Sequence, residues 1–587
     1  MYILGLSCFY HDSAAALLKD GKIVAAAQEE RFTRKKHDTS FPKNAVEYCL
    51  KSQNITIENV SYIGFYEKPL LKFERLLHQH LETFPKSYKA FLASLPNWFN
   101  EKLRVVKIIK KKLKYKGDIL FIEHHMAHAA SSFLPSPFDK AAILTVDGVG
   151  EWTTTAYGVG NKEKINLIKE ITFPSSIGLL YSTITSYLGF SVNNSEYKVM
   201  GLSAYGDMNK KTNPYYLRLM SLIDLKEDGS YRFDMSYFNY HFSRDRMLSK
   251  KLCKLLDGPI RKPKEEINQR HKDIAAALQL ITEEILTKIL NHVYEETGCK
   301  NLAISGGVAL NSVYNGKILK NTGFKNLWIQ PDPGDGGTSI GAALYVYNII
   351  LDKKRIYNFN NPYLGPNFSN DEIKNFLDTN KINYKTFLSE KELIDKTAKL
   401  IYENKVVGFF QEGMEWGPRA LGARSILSNP CNIEMQNILN LKVKHREKFR
   451  PFAPAVCAED APKYFECDFP LQEPTDYMLM VYPIKKEWHK EIPAVTHADG
   501  SGRLQTVKKT QNPLYYRLIK EFGRLSGIPI LINTSFNIRG EPIVCTPYDA
   551  YRCMMGTGID CIVMGNFLIN RKDNLQDMWD SEKYATD

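Results

Sequence analysis

The sequence predicts a mixed α/β protein, a duplicated N-terminal domain followed by a second α/β domain, and three observations predict it. The first is a repeat of plan. The opening ILGLS, a turn at CFYHDS, AAALLKDG and KIVAAAQEE is matched in layout by KAAILTVDGVGEWTTTAYGVGNKEKINLIKEI at 140–171. Each copy has a buried strand, a polar turn carrying an Asp, a second strand, a turn with Gly and Lys, and a third strand, as a duplicated unit would. The second observation is a pair of glycine-rich loops, SGGVALN at 305–311 and PDPGDGG at 331–337, each leading from an apolar run into a helical pattern. The third is a break. IYNFNNPYLGPNFSN at 356–370 is rich in Asn, Pro and aromatics and reads as a linker, and DEIKNFLDTN then starts a new helix. This places domains at 1–355 and 356–587.

Bulk properties narrow the class. A chain of 587 residues has room for two or more cores, and 44% hydrophobic with 24% charged content is that of an ordinary globular protein. No apolar run approaches the ~20 residues that span a bilayer. MYILGLSCFYHDS has no basic segment ahead of its apolar stretch, and His11 and Asp12 interrupt it early, so it does not read as a secretory signal. Ten cysteines, none in a C-x-x-C pair, fit reduced thiols. The expectation is a cytoplasmic protein with no membrane partner.

The net charge of +13 would suit nucleic acid, a membrane surface or anionic small molecules. Much of it is local. In RVVKIIKKKLKYK at 104–116, Val105, Ile108, Ile109 and Leu113 recur at helical spacing and leave the lysines on the other face, a solvated amphipathic helix. It belongs to an aromatic-rich helical insertion, 66–120, that would shape an acceptor pocket or form a homodimer surface. Elsewhere basic residues alternate with apolar and turn residues instead of forming a stripe, which argues against a stable nucleic-acid partner.

Chemistry concentrates in two places. In HHMAH, His124 and His128 are four apart and project from one helix face, able to share a cation. No Glu lies between them, so this is not a metalloprotease helix. Asp147, ending an apolar run, and Asp335, in a glycine-rich turn, can close the shell with two hard oxygens. That mix suits ferrous iron, manganese or zinc better than calcium.

The second concentration lies beyond the linker. EWGPRALGARSILSNP supplies Arg419 and Arg424, LKVKHREKFRPFAPAV supplies Lys444, Arg446 and Arg450, GRLQTV has Arg503, and LINTSFNIRGEPIV has Asn533, Ser535 and Arg539. Guanidinium forks match phosphate oxygens, and Asn and Ser complete such a shell. Lys442, Arg446 and Lys448 read as surface charges. Arg419, Arg424 and Arg450, flanked by Trp416, Pro418, Leu421, Phe449, Pro451 and Phe452, read as pointing into a partly desolvated cleft for a small anionic substrate.

The duplicated plan looks like that of actin, the sugar kinases and the Hsp70 chaperones, in which turns after the first strand of each half contact nucleotide phosphates. On that likeness Gly306, Gly307 and Asn311 form a third nucleotide loop, with Gly334 and Gly336 in a further one. Over nearly its whole length the chain resembles the O-carbamoyltransferases of the nodulation-factor and antibiotic-tailoring type. The resemblance rests on GLSCFYHDSAAAL, AAAQEERFTRKKHD, HHMAHAASSFLPSPF, TVDGVGEW, SEYKVMGLSAYG, SGGVALN, PDPGDGG, WGPRALGARSI, REKFRPFAPAV and NTSFNIRGEPIV.

The resemblance implies an actin-like nucleotide-binding domain, related to the tRNA threonylcarbamoyl-transfer enzymes, followed by a YrdC-like domain. It implies use of carbamoyl phosphate and ATP, with magnesium an option, to make carbamoyl-adenylate, which carbamoylates a hydroxyl of a sugar or natural product. His124, His128, Asp147 and Asp335 become ligands of a divalent metal, iron first and manganese or zinc as alternatives. Arg419, Arg424, Lys444, Arg450, Arg503 and Ser535, with Asn533 beside them, become the carbamoyl phosphate pocket. His11 or Asp12, in the first phosphate-side turn, is the candidate base or positioning group toward the acceptor, and Asp335 is expected to serve transfer as well. Because the anhydride is labile in water, a channel or close apposition between the domains is expected. The competing readings are a kinase of the sugar-kinase type and an RNA-modifying enzyme.

Overall fold

A computed structural model describes residues 1–574 apart from 244, 357, 448, 449 and 469. The chain forms two compact units, Met1–Glu29 with Thr39–Phe359, and Glu30–Asp38 with the chain from Asn360 onward. An uninterrupted first domain from 1 to 355 is therefore corrected at one place: nine residues of its N-terminal region belong to the second unit. They dock by arginines. Arg31 Nη2 donates to the Gly417 carbonyl at 2.8 Å, and Arg34 donates to those of Ile543 and Pro542 at 2.6 and 2.7 Å. Phe32 packs on the small cluster Met414, Ala420, Ile543 and Cys545.

In the first unit, strands β1 Tyr2–Ser7, β2 Ala14–Lys19 and β3 Lys22–Gln28 form an antiparallel meander, and β4 Val60–Phe65 and β5 Asp118–Phe121 extend it in parallel from β1. A second sheet repeats this. Strands β6 Lys140–Val146, β7 Thr153–Asn161 and β8 Lys164–Thr172 make the meander; after the short hairpin β9 Ile223–Leu225 and β10 Tyr231–Phe233, β11 Asn301–Ser305 and β12 Asn326–Trp328 add in parallel from β6. The orders are β3-β2-β1-β4-β5 and β8-β7-β6-β11-β12. The two halves thus share one topology, as expected for the actin-like duplication.

Two helices position site residues. His124–Phe133 follows β5, and Thr338–Tyr345 follows the PDPGDGG loop. They touch at Gly341, where a Cβ would lie 1.9 Å from the Ala127 carbonyl oxygen. Only a residue without a side chain permits that approach. The insertion forms the helices Pro69–Thr83, Tyr88–Asn100 and Val105–Leu113, the last burying Val105 and Ile109.

The second unit is built on a nine-stranded sheet. Its strands are β13 Lys385–Thr386, β14 Val407–Phe410, β15 Arg424–Ser428, β16 Ala453–Cys457, β17 Met480–Pro483, β18 Ser501–Val507, β19 Ile530–Ser535, β20 Cys561–Met564 and β21 Phe567–Asn570. They run in the order β13-β21-β20-β14-β15-β19-β16-β18-β17. The helices Glu390–Tyr402 and Pro513–Ser526 bury Leu393, Ile401, Leu518 and Phe522 against Phe409, Leu427, Leu531 and Val563. The helix expected after the linker is Asn370–Thr379, started by a capping box of Ser369 and Glu372. Among the described residues no helix is long and apolar enough to cross a membrane.

Candidate active site

HHMAH forms the first turns of the helix His124–Phe133, so the i,i+4 spacing puts both imidazoles on one face. The helix start is fixed from outside it: His124 N–H donates to both Glu151 carboxylate oxygens, at 3.0 and 3.2 Å. Further along, Ser305 Oγ donates to the His128 carbonyl at 2.7 Å. His125 turns the other way, its Nδ1 lying 2.8 Å from Thr145 Oγ1.

Asp147 comes directly after the end of β6, and Asp335 opens the turn before the helix Thr338–Tyr345. The structure brings these two carboxylates to the two imidazoles. His124 Nε2 is 3.1 Å from His128 Nε2, 3.3 Å from Asp147 Oδ2 and 3.6 Å from Asp335 Oδ1, which is also 3.6 Å from His128 Nε2. All four residues are buried, and their ligand atoms lie within 4.8 Å of one another. Burial alone would discharge the imidazole of His124, but Asp335 and Asp147 outweigh it and hold its pKa above the ordinary value. Asp147 sits well below the usual carboxylate range, burial being overcome by the His124 hydrogen bond and the neighbouring imidazoles. His125, buried and beside two other imidazoles, is pushed well below the ordinary range.

His11 joins the edge of this group. Its Nδ1 is 3.1 Å from Asp12 Oδ2 and its Nε2 is 3.8 Å from Asp335 Oδ2. The ring is a quarter exposed, and although its covering lowers the pKa, Asp335 and Asp12 raise it well above the ordinary value.

The glycine loops serve this cluster as much as any ligand. Gly306, in the left-handed region at φ +97°, donates to the Pro333 carbonyl at 2.8 Å, and Gly307 N–H donates to Asp147 Oδ1, also at 2.8 Å. Past Gly306 the chain forms a 3₁₀ turn, Gly307–Leu310, and a four-residue helix, Ser312–Asn315. Asn311 caps that helix through Tyr314 N–H and pairs reciprocally with Gln279 at 3.0 and 3.1 Å. Gly334 and Gly336 border Asp332, whose Oδ2 lies 2.2 Å from where a Gly336 Cβ would be.

In the second unit, Lys444 is buried and its Nζ donates to the Ser535 carbonyl and, at 2.9 and 2.8 Å, to the carbonyl and Oδ1 of Asn537. Burial, aided by Arg446 and Arg450, pulls its pKa well below the ordinary lysine value. Ser535 Oγ donates to Asn537 Oδ1 at 2.7 Å. Asn533 Nδ2 donates to Gln505 Oε1 at 2.6 Å and the Ala420 carbonyl at 3.2 Å, tying the loop that carries Arg419 to the sheet. Arg450 and Arg539 flank Glu447, at 3.7 and 3.5 Å. Arg503 lies on β18, opposite Val481.

Arg424 departs from the expected pocket. Fully buried over the Phe410 ring, it donates to the carbonyls of Gln411, Glu412 and Ala423 through Nη1 and of Pro366 through Nη2. These bonds make it a brace. Lys442 is exposed as expected, whereas Arg446 is engaged with Asn440 Oδ1 at 2.6 Å; Lys448 and Phe449 lie outside the described residues.

Comparison with known sequences decides the family. Residues 2–344 match the carbamoyltransferase N-terminus and residues 398–571 the carbamoyltransferase C-terminus. The chain belongs to the carbamoyltransferase family. It is 47% identical to the uncharacterized protein sll1178 of Synechocystis sp., covering 97% of this chain and 96% of that one. Its identity to nodulation protein NolNO of Sinorhizobium fredii is 33%, over 97% of this chain and 80% of that one. With the uncharacterized protein MJ1051 of Methanocaldococcus jannaschii it is 32%, over 97% and 99%.

Two features of this carbamoyltransferase escape the motif reading. Glu151, between two strands, gave no helix-capping signal because it caps a helix remote in sequence. The insertion contributes buried cations, Lys72 and Lys102, that helical periodicity does not separate from solvated lysines.

Proposed function

We propose that this carbamoyltransferase takes its carbamoyl group from carbamoyl phosphate, activates it with ATP as carbamoyl-adenylate, and transfers it to a hydroxyl of a sugar or natural product. The observation that carries this reading is the convergence of His124, His128, Asp147 and Asp335 in a family whose two halves both match this chain. Two imidazole nitrogens and two carboxylate oxygens, without thiolates, fit ferrous iron, manganese or zinc. A cation there would supply Lewis acidity toward phosphate or carbonyl oxygen.

The donor half belongs to the second unit, read as YrdC-like. Exchanging phosphate for adenylate on the carbamate oxygen consumes one water and releases phosphate and pyrophosphate; the carbamate oxygen bonds to the α-phosphorus as the bond to the pyrophosphate oxygen breaks. Arg419, Lys444, Arg450 and Arg503, with Asn533 and Ser535, would hold the phosphate charge that develops. Arg424 shapes the loop behind them.

The transfer half belongs to the first unit. The acceptor oxygen bonds to the carbamoyl carbon, the bond from that carbon to the adenylate oxygen breaks, and AMP leaves with the electron pair. The hydroxyl proton passes to the carboxylate of Asp12, and the His11 imidazole, 3.1 Å from it, positions the acceptor. The test is mass spectrometry of the protein with ATP, carbamoyl phosphate and a divalent metal, without acceptor. AMP and pyrophosphate that depend on carbamoyl phosphate support the reading; intact ATP, or ADP alone, overturns it in favour of kinase chemistry.

A further inference from the structure

The insertion carries a group of buried cations beside the histidine cluster. Lys102 is 8% exposed, and its Nζ has no hydrogen-bond or ion-pair partner among the described residues; it lies over the rings of Trp98 and Tyr10, 5.2 and 5.7 Å from their centroids. Lys72, also buried, bonds Glu67 Oε2 at 2.6 Å and lies 5.1 Å from the Tyr10 centroid. Arg75 Nη1 donates to the Gly150 carbonyl at 3.1 Å, while its Nε is buried without an acceptor among the described residues. Among the described residues only Glu67 is paired directly with this group, since Glu151 is spent on the N–H groups of Lys68 and His124. Burial, Lys72 and Arg75 pull the Lys102 pKa down to about 8, against the carboxylates of Glu67 and Glu101.

Positive charge is costly to bury unless something answers it. The aromatic faces answer part. The placement of the group suggests what answers the rest. The Tyr10 ring that faces both lysines lies tilted beside the His11 ring, centroids 4.4 Å apart, and the residue is 36% exposed, an open surface leading from the cations to the candidate base. Tyr66, adjacent to Glu67, has its ring 5.4 Å from that of His124.

We propose that the hydroxyl acceptor is an acidic molecule, and that Lys102, with Lys72 and Arg75, receives its phosphate or carboxylate group while the hydroxyl lies over Tyr10 toward His11. This rests on the carbamoyl-transfer reading above. A bound anion would complete the shell of Lys102 with charge-assisted hydrogen bonds.

The test has two independent parts, both on the full chain. Crystals soaked in tungstate are expected to show tungsten against Lys102, retained in Lys102→Arg and lost in Lys102→Met; no tungsten there in the wild type overturns the proposal, whatever the enzyme's activity. Transfer is then measured to matched acceptors, glycerol 3-phosphate against glycerol, glucose 6-phosphate against glucose, gluconate against sorbitol. The acidic member should be favoured in kcat/KM by about tenfold or more, with the ratio near one in Lys102→Met and restored in Lys102→Arg. Equal or better use of the neutral member, or tungstate seen in the crystal without any acidic preference (an adventitious ion only), overturns it. A KM for ATP that rises in Lys102→Met without acceptor would assign the cations to the nucleotide and likewise overturn it. Preference for phosphate over carboxylate acceptors, or the reverse, identifies the group. Wild-type AMP formation without acceptor reports separately whether the carbamoyl-adenylate reading stands.

Discussion

The Nε2 atoms of His124 and His128 stand 3.1 Å apart, a separation at which two imidazoles share one proton or one cation between them. The carboxylates of Asp147 and Asp335 face the same point. Replacing His128 with Ala removes one of two nitrogen donors, and bound divalent metal is expected to fall to about a tenth of the wild-type occupancy or less. Elemental analysis of both purified proteins, loaded with ferrous iron or manganese, measures this. Full occupancy in the variant would withdraw His128 as a ligand.

Glu151 holds the same helix by its end, accepting from His124 N–H with both oxygens and from Lys68 N–H at 2.7 Å. Its negative charge also lies at the positive end of the helix. Glu151→Gln keeps the shape and removes the charge, so a loss of about 0.5–2 kcal/mol is expected. Because the capped residue is itself a candidate ligand, metal affinity should weaken by about tenfold or more. Thermal melting and metal titration check the two effects, and a variant that melts lower with unchanged metal affinity would confine Glu151 to a structural role.

What the sequence made legible was local. Strand alternation and turn residues repeat between 2–28 and 140–171, so the duplication and its meanders could be read directly. An i,i+4 histidine pair fixes a shared face as soon as the segment is helical. The docking of Glu30–Asp38 was not legible, because Arg31 and Arg34 bind backbone carbonyls of residues some 400 to 500 positions away, and nothing in QEERFTRKKHD states which core it covers. For the same reason Arg424 read as an anion ligand: an arginine among glycines and apolar residues looks alike in sequence whether its fork meets phosphate or four carbonyls. Lys72 and Lys102 look like surface lysines of amphipathic helices until the fold buries them.

Arg424 and Arg450 should therefore respond differently to substitution. Arg424→Met takes the donor from the Gln411 and Glu412 carbonyls, while those of Ala423 and Pro366 keep the N–H groups of Gln411 and Met414; at about 1–3 kcal/mol for a buried carbonyl left unrelieved, the second unit is expected to melt several degrees lower. Arg450→Ala, at a partly exposed residue paired with Glu447, should leave melting nearly unchanged while carbamoyl-phosphate-dependent AMP formation is lost and ATP binding survives. Calorimetry and the acceptor-free assay separate the two. Arg450→Ala with wild-type activity would remove that residue from the donor pocket.

Gly341 links the helices that carry His124, His128 and the residues after Asp335. A Cβ there would stand 1.9 Å from the Ala127 oxygen and 2.9 Å from the Ser131 Cβ, and Ala127 lies one residue before His128. The contact is backbone against backbone, so no side-chain rotation relieves it, and the two helices must separate. Gly341→Ala is expected to cost about 1–3 kcal/mol through overpacking. Separation also pulls Asp335 away from the imidazoles, so metal affinity should drop together with stability. Melting curves of the variant, with and without added manganese, measure both: the upward shift produced by the metal in the wild type should shrink in Gly341→Ala. A metal-induced shift of undiminished size would mean that the helix contact is structural and that the four ligands hold their positions without it.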